Sequence, residues 1–113
     1  MVRIFKILPR TDWETAQEQG AFAGAGVDLA DGYIHFSTAA QATETARRYF
    51  TGLSDLVVLE VEGDGLGEAL KWEPSRGGDL FPHLYRPLAV REVIAARAAP
   101  LDTNGEPMLG LPR

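Results

Sequence analysis

The chain has 113 residues, of which 45% are hydrophobic and 24% charged, and this is the size and composition of one globular domain with a single core. Its net charge of -5, with no cationic cluster beyond Arg47 and Arg48, argues against a duplex nucleic-acid binder, which gathers Lys and Arg on one face. From the length we expect one domain over residues 1–113. The sequence has no cysteine and no apolar run long enough for a signal peptide or a membrane span, so we expect a cytoplasmic protein without membrane attachment.

The start of the chain predicts a strand, a helix and a loop. Residues 2–8 are strand-like and end at a proline, which has no backbone donor. Thr11 and Glu14 have the spacing of a capping box, so a first helix is expected to run to Gln19 and to stop at the following glycine. Residues 20–32 are rich in glycine and alanine, a composition that predicts an irregular loop and a candidate lid.

The next segment predicts a strand that leads into a second helix. Alternation along the strand places Tyr33, His35 and Ser37 on one face. Thr38 and Gln41 then have the spacing of a capping box, which marks the start of the helix.

The second helix and the remaining strands follow from apolar spacing. A core-facing stripe of the helix consists of Ala42, Ala46, Tyr49 and Phe50. Residues 56–62 are the strongest strand signal and are expected at the centre of a sheet. Residues 69–73, 80–85 and 90–98 also predict strands. Pro82 suits a sheet edge or a strand end in the second of them, and the alanines leave a helix as the alternative for the third. Residues 100–113 are expected to form a surface tail.

Both histidines of the chain lie in extended segments, each two residues from a hydroxyl-bearing side chain on the same face. His35 has Tyr33 and Ser37 as these neighbours, and His83 has Tyr85. Imidazole titrates near neutral pH and also hydrogen-bonds phosphate or ribose oxygens. We therefore predict a small-molecule pocket lined by these side chains. The alternative is that both rings are core-edge histidines satisfied by backbone carbonyls.

Glu73 lies between Trp72 and Pro74, at the end of a predicted strand. A carboxylate at this position projects beyond the sheet, and by default it is a solvated surface group. If Glu73 faces the histidines instead, it can orient an imidazole, accept a ribose hydroxyl or act as a general base. The candidate catalytic residues are therefore His35, Glu73 and His83.

Several other kinds of site find no support in the sequence. The wide and irregular spacing of His35, Glu73 and His83 does not predict a metal site. The glycines match neither a dinucleotide fingerprint nor a phosphate loop, because the strand-turn-helix context is missing. Ser37 lacks the Gly-x-Ser-x-Gly elbow of a hydrolase nucleophile.

Three stretches of the chain together carry a resemblance that extends over nearly its whole length. They are Asp31-Gly32-Tyr33-Ile34-His35-Phe36-Ser37-Thr38 with Gln41, Trp72-Glu73, and Phe81-Pro82-His83-Leu84-Tyr85. On these motifs the chain is identified as a member of a bacterial domain-of-unknown-function family, family 952, which is similar in fold to ADP-ribosyltransferases and RNA 2'-phosphotransferases. The resemblance implies an α+β fold with a split, mainly antiparallel sheet and two helices.

The resemblance also implies a ligand and a role for part of the chain. Those enzymes hold NAD or ADP-ribose-like groups in a cleft, so NAD is the candidate cofactor. Residues 34–37 resemble a histidine-bearing strand of the phosphotransferases. Where transferases often carry a His-Gly-Thr or His-Gly-Ser clamp, this chain has Phe5-Lys6-Ile7, so the usual NAD pose is not expected. Lys6 remains a candidate phosphate contact as a point charge.

Two functions are compatible with these residues. The first is a nucleotide- or ADP-ribose-handling transferase-like enzyme, with His35 and Ser37 on phosphate or ribose and with His83, Tyr85 and Glu73 on the opposing wall. The second is a non-catalytic module that binds a small anion or a protein partner through the same surface. The candidate ligand-binding residues are Tyr33, Ser37, Thr38, Tyr85 and Lys6. The oligomeric state is left open.

Overall fold

The computed structural model describes residues 2–111 and is an α+β structure with mainly antiparallel sheets. Its strands are β1 (Arg3–Pro9), β2 (Ala21–Phe22), β3 (Ile34–His35), β4 (Ser37–Thr38), β5 (Leu56–Glu62), β6 (Leu70–Pro74), β7 (Leu80–Leu84), β8 (Leu88–Ala89) and β9 (Val93–Ala98). Its α-helices are α1 (Arg10–Gln19), α2 (Val27–Asp31) and α3 (Ala39–Tyr49). Segments of 3-10 helix occupy Gly63–Ala69, which is kinked at Gly67, and the short stretches Arg76–Gly78 and Val90–Glu92. No helix among residues 2–111 has the length and apolarity needed to cross a membrane.

The strands form two larger sheets and a small one. The larger sheets have the orders β4-β1-β5-β9 and β3-β7-β6, and β2 pairs with β8. β5 lies inside its sheet, paired with β1 from Pro9↔Leu56 to Arg3↔Glu62 and with β9 on its other side. This confirms the central position predicted for residues 56–62, whose apolar run is buried on both faces.

Two hydrophobic clusters lie on opposite faces of β1. Ile4 and Leu8 belong to the larger one, and Phe5 and Ile7 belong to the other, where they meet α3. This division follows from the alternation of side chains along a strand. Leu109 packs into the second cluster, so the predicted surface tail contributes to the core at that residue.

The segment predicted as one strand over residues 33–37 is divided between the two larger sheets. β3 pairs with β7, whereas β4 pairs with β1. The backbone N–H of Phe36 donates to the carbonyl of Pro82 at 3.0 Å, but proline has no N–H to return, so the ladder stops there. In the order β3-β7-β6, β7 is the middle strand, and Pro82 lies in its interior, so the edge or strand-end position predicted from Pro82 is wrong.

The first helix and the glycine-rich segment differ from the predictions in one respect each. α1 ends at Gln19 as predicted, but within the described residues its N-terminus has no side-chain cap, and Glu14 instead accepts from Arg10 at 2.8 Å. The expected capping box is therefore wrong. The segment 20–32, predicted as an irregular loop, contains α2, so the described chain has three α-helices where two were expected.

The second predicted helix, α3, begins with a complete capping box. Thr38 Oγ1 accepts from the Gln41 backbone, and the Gln41 side chain accepts from the Thr38 backbone. Ala42 and Ala46 are buried as predicted, whereas Tyr49 is 63% exposed and leaves the core stripe.

Replacing Thr38 with alanine is expected to lower the free energy of unfolding by about 1 kcal/mol, because an orphan amide of α3 loses its acceptor. Urea denaturation measures this loss. Thr11→Ala is the matched control, since Thr11 has the same sequence spacing but caps nothing in the described structure. Equal losses in the two variants would contradict the assignment of the cap.

Candidate functional site

A cleft of about 630 Å³ opens between the two larger sheets. It is lined by β1, by Asp12 of α1, by residues 25–27 and Asp31 at α2, by the chain from His35 to Ser37, by α3, by β7 and by the turn that carries Arg76. The lining side chains that bear polar groups include Lys6, His35, Ser37, Thr45, Arg76 and His83. Both histidines therefore reach the same cleft, although they are far apart in sequence.

The two histidines lie directly opposite each other on β3 and β7, and their ring centroids are 5.4 Å apart. Tyr33 stacks on His83 at 4.1 Å, and Tyr85 lies 5.1 Å from Tyr33. Cross-strand neighbours share one face of a sheet. The histidines and tyrosines therefore lie on a single wall, with His35 and His83 side by side and not on opposing walls, and of these four side chains only the two histidines line the cleft.

Glu73 joins this wall from the neighbouring strand β6. Its Oε1 accepts from the Tyr85 hydroxyl at 2.7 Å and lies 2.8 Å from Nδ1 of His83. The Tyr85 hydrogen bond, followed by that of His83, lowers the pKa of Glu73, so the group is a carboxylate and can only accept. The same bond raises the pKa of Tyr85 to about 12. The shared proton therefore resides on Nδ1 of His83.

The other ring nitrogen of His83 is the most unusual atom of the site. His83 is only 2% exposed, and its Nε2 has no hydrogen-bond partner among residues 2–111. With the proton on Nδ1, a neutral ring leaves a lone pair on Nε2. In that tautomer Nε2 is a buried acceptor on a cleft-lining residue, and no group of the described chain donates to it.

His35 has the opposite arrangement, with both ring nitrogens engaged. Nδ1 lies 2.6 Å from Asp28 Oδ1, and Nε2 lies 2.9 Å from Asp31 Oδ2. Both ring nitrogens of His35 are therefore occupied by carboxylates of α2, whereas one ring nitrogen of His83 has no partner in the described chain.

Asp28 of α2 organises this end of the cleft, and it was missed in the sequence. It is 2% exposed and binds Lys6 Nζ at 2.8 Å as well as the ring and backbone N–H of His35. Burial alone would raise the pKa of Asp28, but the His35 bond and the Lys6 charge outweigh it and hold the pKa at about 2. Burial in turn lowers the pKa of Lys6, an effect that Asp28 opposes. Lys6 is therefore a paired group here.

The remaining predicted residues and two missed ones lie near α3. Ser37 Oγ shares a hydrogen bond of 3.1 Å with Thr45 Oγ1, and Thr45 Oγ1 also accepts from Arg76 at 3.3 Å. Thr38 uses its hydroxyl as the helix cap. Thr45 and Arg76 had no sequence signal, because their proximity depends on a contact across 31 residues. No group of three or more His, Cys, Asp or Glu side chains in the described part of the chain could hold a metal ion.

Comparisons with known proteins return one family and one set of solved structures. The family model described as "Protein of unknown function (DUF952)" matches residues 7–96. The crystal structure of protein CC0527 from Caulobacter crescentus is 56% identical, with 96% of this chain and 95% of that chain covered and a TM-score of 0.93. Its solution NMR structure is 55% identical, with coverages of 97% and 95% and a TM-score of 0.88. No curated protein matches the chain.

Proposed function

The chain belongs to the DUF952 family of proteins of unknown function, and from this premise we propose that its cleft is the active site of an enzyme that handles a nucleotide- or ADP-ribose-like ligand. In this proposal His83 is the general base, and Glu73 orients it. The observation that carries the proposal is Nε2 of His83, a buried acceptor without a partner in the described residues of a cleft-lining ring.

The chemistry of the His83–Glu73 pair supports this role. A carboxylate on Nδ1 fixes the tautomer and stabilises the imidazolium that forms when Nε2 takes a proton, which is the logic of a catalytic dyad. An unsatisfied buried acceptor costs about 1–3 kcal/mol. Unsatisfied buried polar groups are rare in native proteins, and abstraction of a proton from a bound hydroxyl accounts for this one.

The size and lining of the cleft support a nucleotide-like ligand. A cleft of about 630 Å³ lies within the range of small-molecule sites. Aromatic side chains such as Phe81 line it beside the cation of Arg76. A cleft between two antiparallel sheets also supports the ADP-ribosyltransferase-like fold that the sequence motifs imply.

The absence of cysteine supports a reducing, cytoplasmic setting.

The predicted site residues divide into three roles in this proposal. His83 acts on the ligand, and Ser37 contacts it from the other sheet. Tyr33 and Tyr85 hold the imidazole in place by stacking and by their shared neighbour Glu73. His35 and Lys6 secure α2 through Asp28 and so shape the cleft without transferring the proton.

Thermal unfolding with added ligands tests the proposal. NAD, ADP-ribose and a 2'-phosphorylated nucleotide are the probes, and at tenfold excess over Kd a ligand raises stability by about 1.4 kcal/mol, or roughly 5–10 °C in Tm for a domain of this size. We expect at least one probe to produce this shift, and His83→Ala to reduce it. Arg91→Ala, an exposed change away from the cleft, is the control. If millimolar concentrations of all three leave Tm unchanged, the proposal fails.

The non-catalytic alternative makes a different prediction in the same experiment. A module that only binds a small anion or a protein partner needs no general base. Retained binding by Glu73→Gln, together with no product from the wild-type protein by mass spectrometry, would favour the binding module over the enzyme.

A further inference from the structure

Arg76 is exceptional among the cations of the cleft. Among the described residues, the arginines at positions 3, 10, 47, 48, 86 and 97 and the cleft-lining Lys6 each pair with a carboxylate within 4.0 Å. Arg76 lines the cleft and has no such partner in residues 2–111. In a chain with a net charge of -5, an unpaired guanidinium inside a cleft is a local positive site that the overall charge does not supply.

The position of Arg76 is set by its turn and by Phe81. Its guanidinium carbon lies 5.0 Å from the centroid of the Phe81 ring, which is buried. The backbone N–H of Ser75 donates to the carbonyl oxygen of Asp79 at 2.9 Å and closes the turn, and Gly77 within the turn has a φ of 70°. That left-handed conformation strongly favours glycine. The guanidinium is therefore held over a fixed ring on β7.

One hydroxyl group contacts Arg76 in the cleft, and a second hydroxyl is hydrogen-bonded to the first. Nη1 of Arg76 donates to Thr45 Oγ1 at 3.3 Å, and Thr45 Oγ1 is joined to Ser37 Oγ at 3.1 Å. Within the described residues, these two hydrogen bonds are the ones that the three side chains make. A guanidinium carries several N–H donors in a planar fork, and most of the fork of Arg76 has no protein acceptor in the described structure.

We propose that Arg76, Thr45 and Ser37 form an anion subsite that binds a phosphate group of the ligand in the cleft, an inference that rests on the proposed function and deepens it. A guanidinium fork binds phosphate oxygens in pairs, and hydroxyls from a second and third direction suit the tetrahedral shape of the anion. A planar carboxylate on a ligand would pair with the guanidinium of Arg76 but has no further oxygen for the hydroxyls of Thr45 and Ser37. The ligand class is therefore a phosphate ester.

The subsite also places the ligand relative to the general base. Phe81, under the guanidinium, and His83 are two residues apart on one face of β7, which is about 7 Å along a strand. A phosphate at Arg76 thus lies several bond lengths from His83, so the hydroxyl that comes within reach of His83 is one on the attached sugar, a few bonds beyond the ester oxygen. The hydroxyl that loses its proton is therefore expected to belong to the same phosphorylated sugar.

Calorimetric titration with inorganic pyrophosphate and, separately, with ADP-ribose tests this subsite on the full chain. Pyrophosphate has no sugar or base, so it reports on the anion contacts alone. We expect the wild-type protein to bind both, with an affinity that falls as NaCl is raised. Arg76→Ala is expected to weaken both by about 10- to 100-fold, the range for a hydrogen bond to a charged group. The affinities of Arg76→Lys should lie between those of wild type and Arg76→Ala, because lysine keeps the positive charge but lacks the paired N–H donors of the guanidinium.

Two controls separate the subsite from the proposed function. Arg91→Ala removes another arginine without a carboxylate partner in the described salt bridges, one that is exposed and outside the cleft, and it should leave both affinities within about 2-fold. His83→Ala should leave pyrophosphate binding unchanged. Pyrophosphate affinity that is absent, or equal in wild type and a folded Arg76→Ala, overturns the subsite even if ADP-ribose binds. Arg76-dependent pyrophosphate binding without any turnover supports the subsite and counts against the enzyme.

Discussion

Replacing Asp28 with alanine is expected to lower the free energy of unfolding by about 3–5 kcal/mol, the cost of leaving a buried charge without its partner. Asp28 and Lys6 are both almost fully buried and lie 2.8 Å apart. The same carboxylate also satisfies the ring and backbone N–H of His35 and the backbone N–H of Ala25. Chemical denaturation monitored by circular dichroism measures the loss.

Two further variants identify the cause of this loss. Glu14→Ala breaks an exposed ion pair with Arg10 and is expected to cost no more than about 1 kcal/mol. Adding Lys6→Met to Asp28→Ala removes the unpaired charge and should recover part of the stability. If Asp28→Ala costs as little as Glu14→Ala, the ion pair does not anchor α2.

Acid is expected to reduce the contribution of Asp28 to the free energy of unfolding over a defined pH range. The pKa of Asp28 is about 2 in the folded protein against an ordinary value of 3.8, so its contribution is fully present above the ordinary value. The contribution is lost as the pH falls from 3.8 through about 2, where the carboxylate takes up a proton. The stability difference between wild type and Asp28→Ala is therefore expected to narrow over that interval.

Removing the imidazole of His83 is expected to lower kcat by about 100- to 10,000-fold on the substrate that ligand screening identifies, the usual contribution of a general base. Glu73→Gln should lower kcat by a smaller factor with little change in KM, because it removes the orienting charge but leaves the imidazole of His83 present. Steady-state kinetics on folded variants separates the two constants.

Two control variants, at His35 and at a carboxylate outside the cleft, test whether the loss of kcat is specific to His83 and Glu73. His35→Ala is expected to act mainly on stability, since both of its ring nitrogens bind carboxylates of α2. Glu68→Gln changes an exposed carboxylate outside the cleft and should leave kcat unaltered. A larger loss of kcat from His35→Ala than from His83→Ala would reverse the assignment of the base.

Local spacing along the chain was sufficient for the elements whose stability depends on near neighbours. The capping box at Thr38 and Gln41 and the central strand at residues 56–62 were both predicted correctly, because a helix cap and an apolar run are properties of a few adjacent residues. The same local spacing failed at Thr11 and Glu14, where a competing Arg10 contact takes the carboxylate.

The site depended on tertiary structure because its decisive contacts join residues that are distant in sequence. Asp28 meets Lys6 across 22 positions, and Arg76 meets Thr45 across 31. The two histidines looked equivalent in sequence, yet folding placed two carboxylates on His35 and one on His83. Periodicity determines which face a side chain occupies, but strand pairing decides what lies opposite it. That pairing left one imidazole nitrogen of the described chain, Nε2 of His83, buried and without a hydrogen-bond partner.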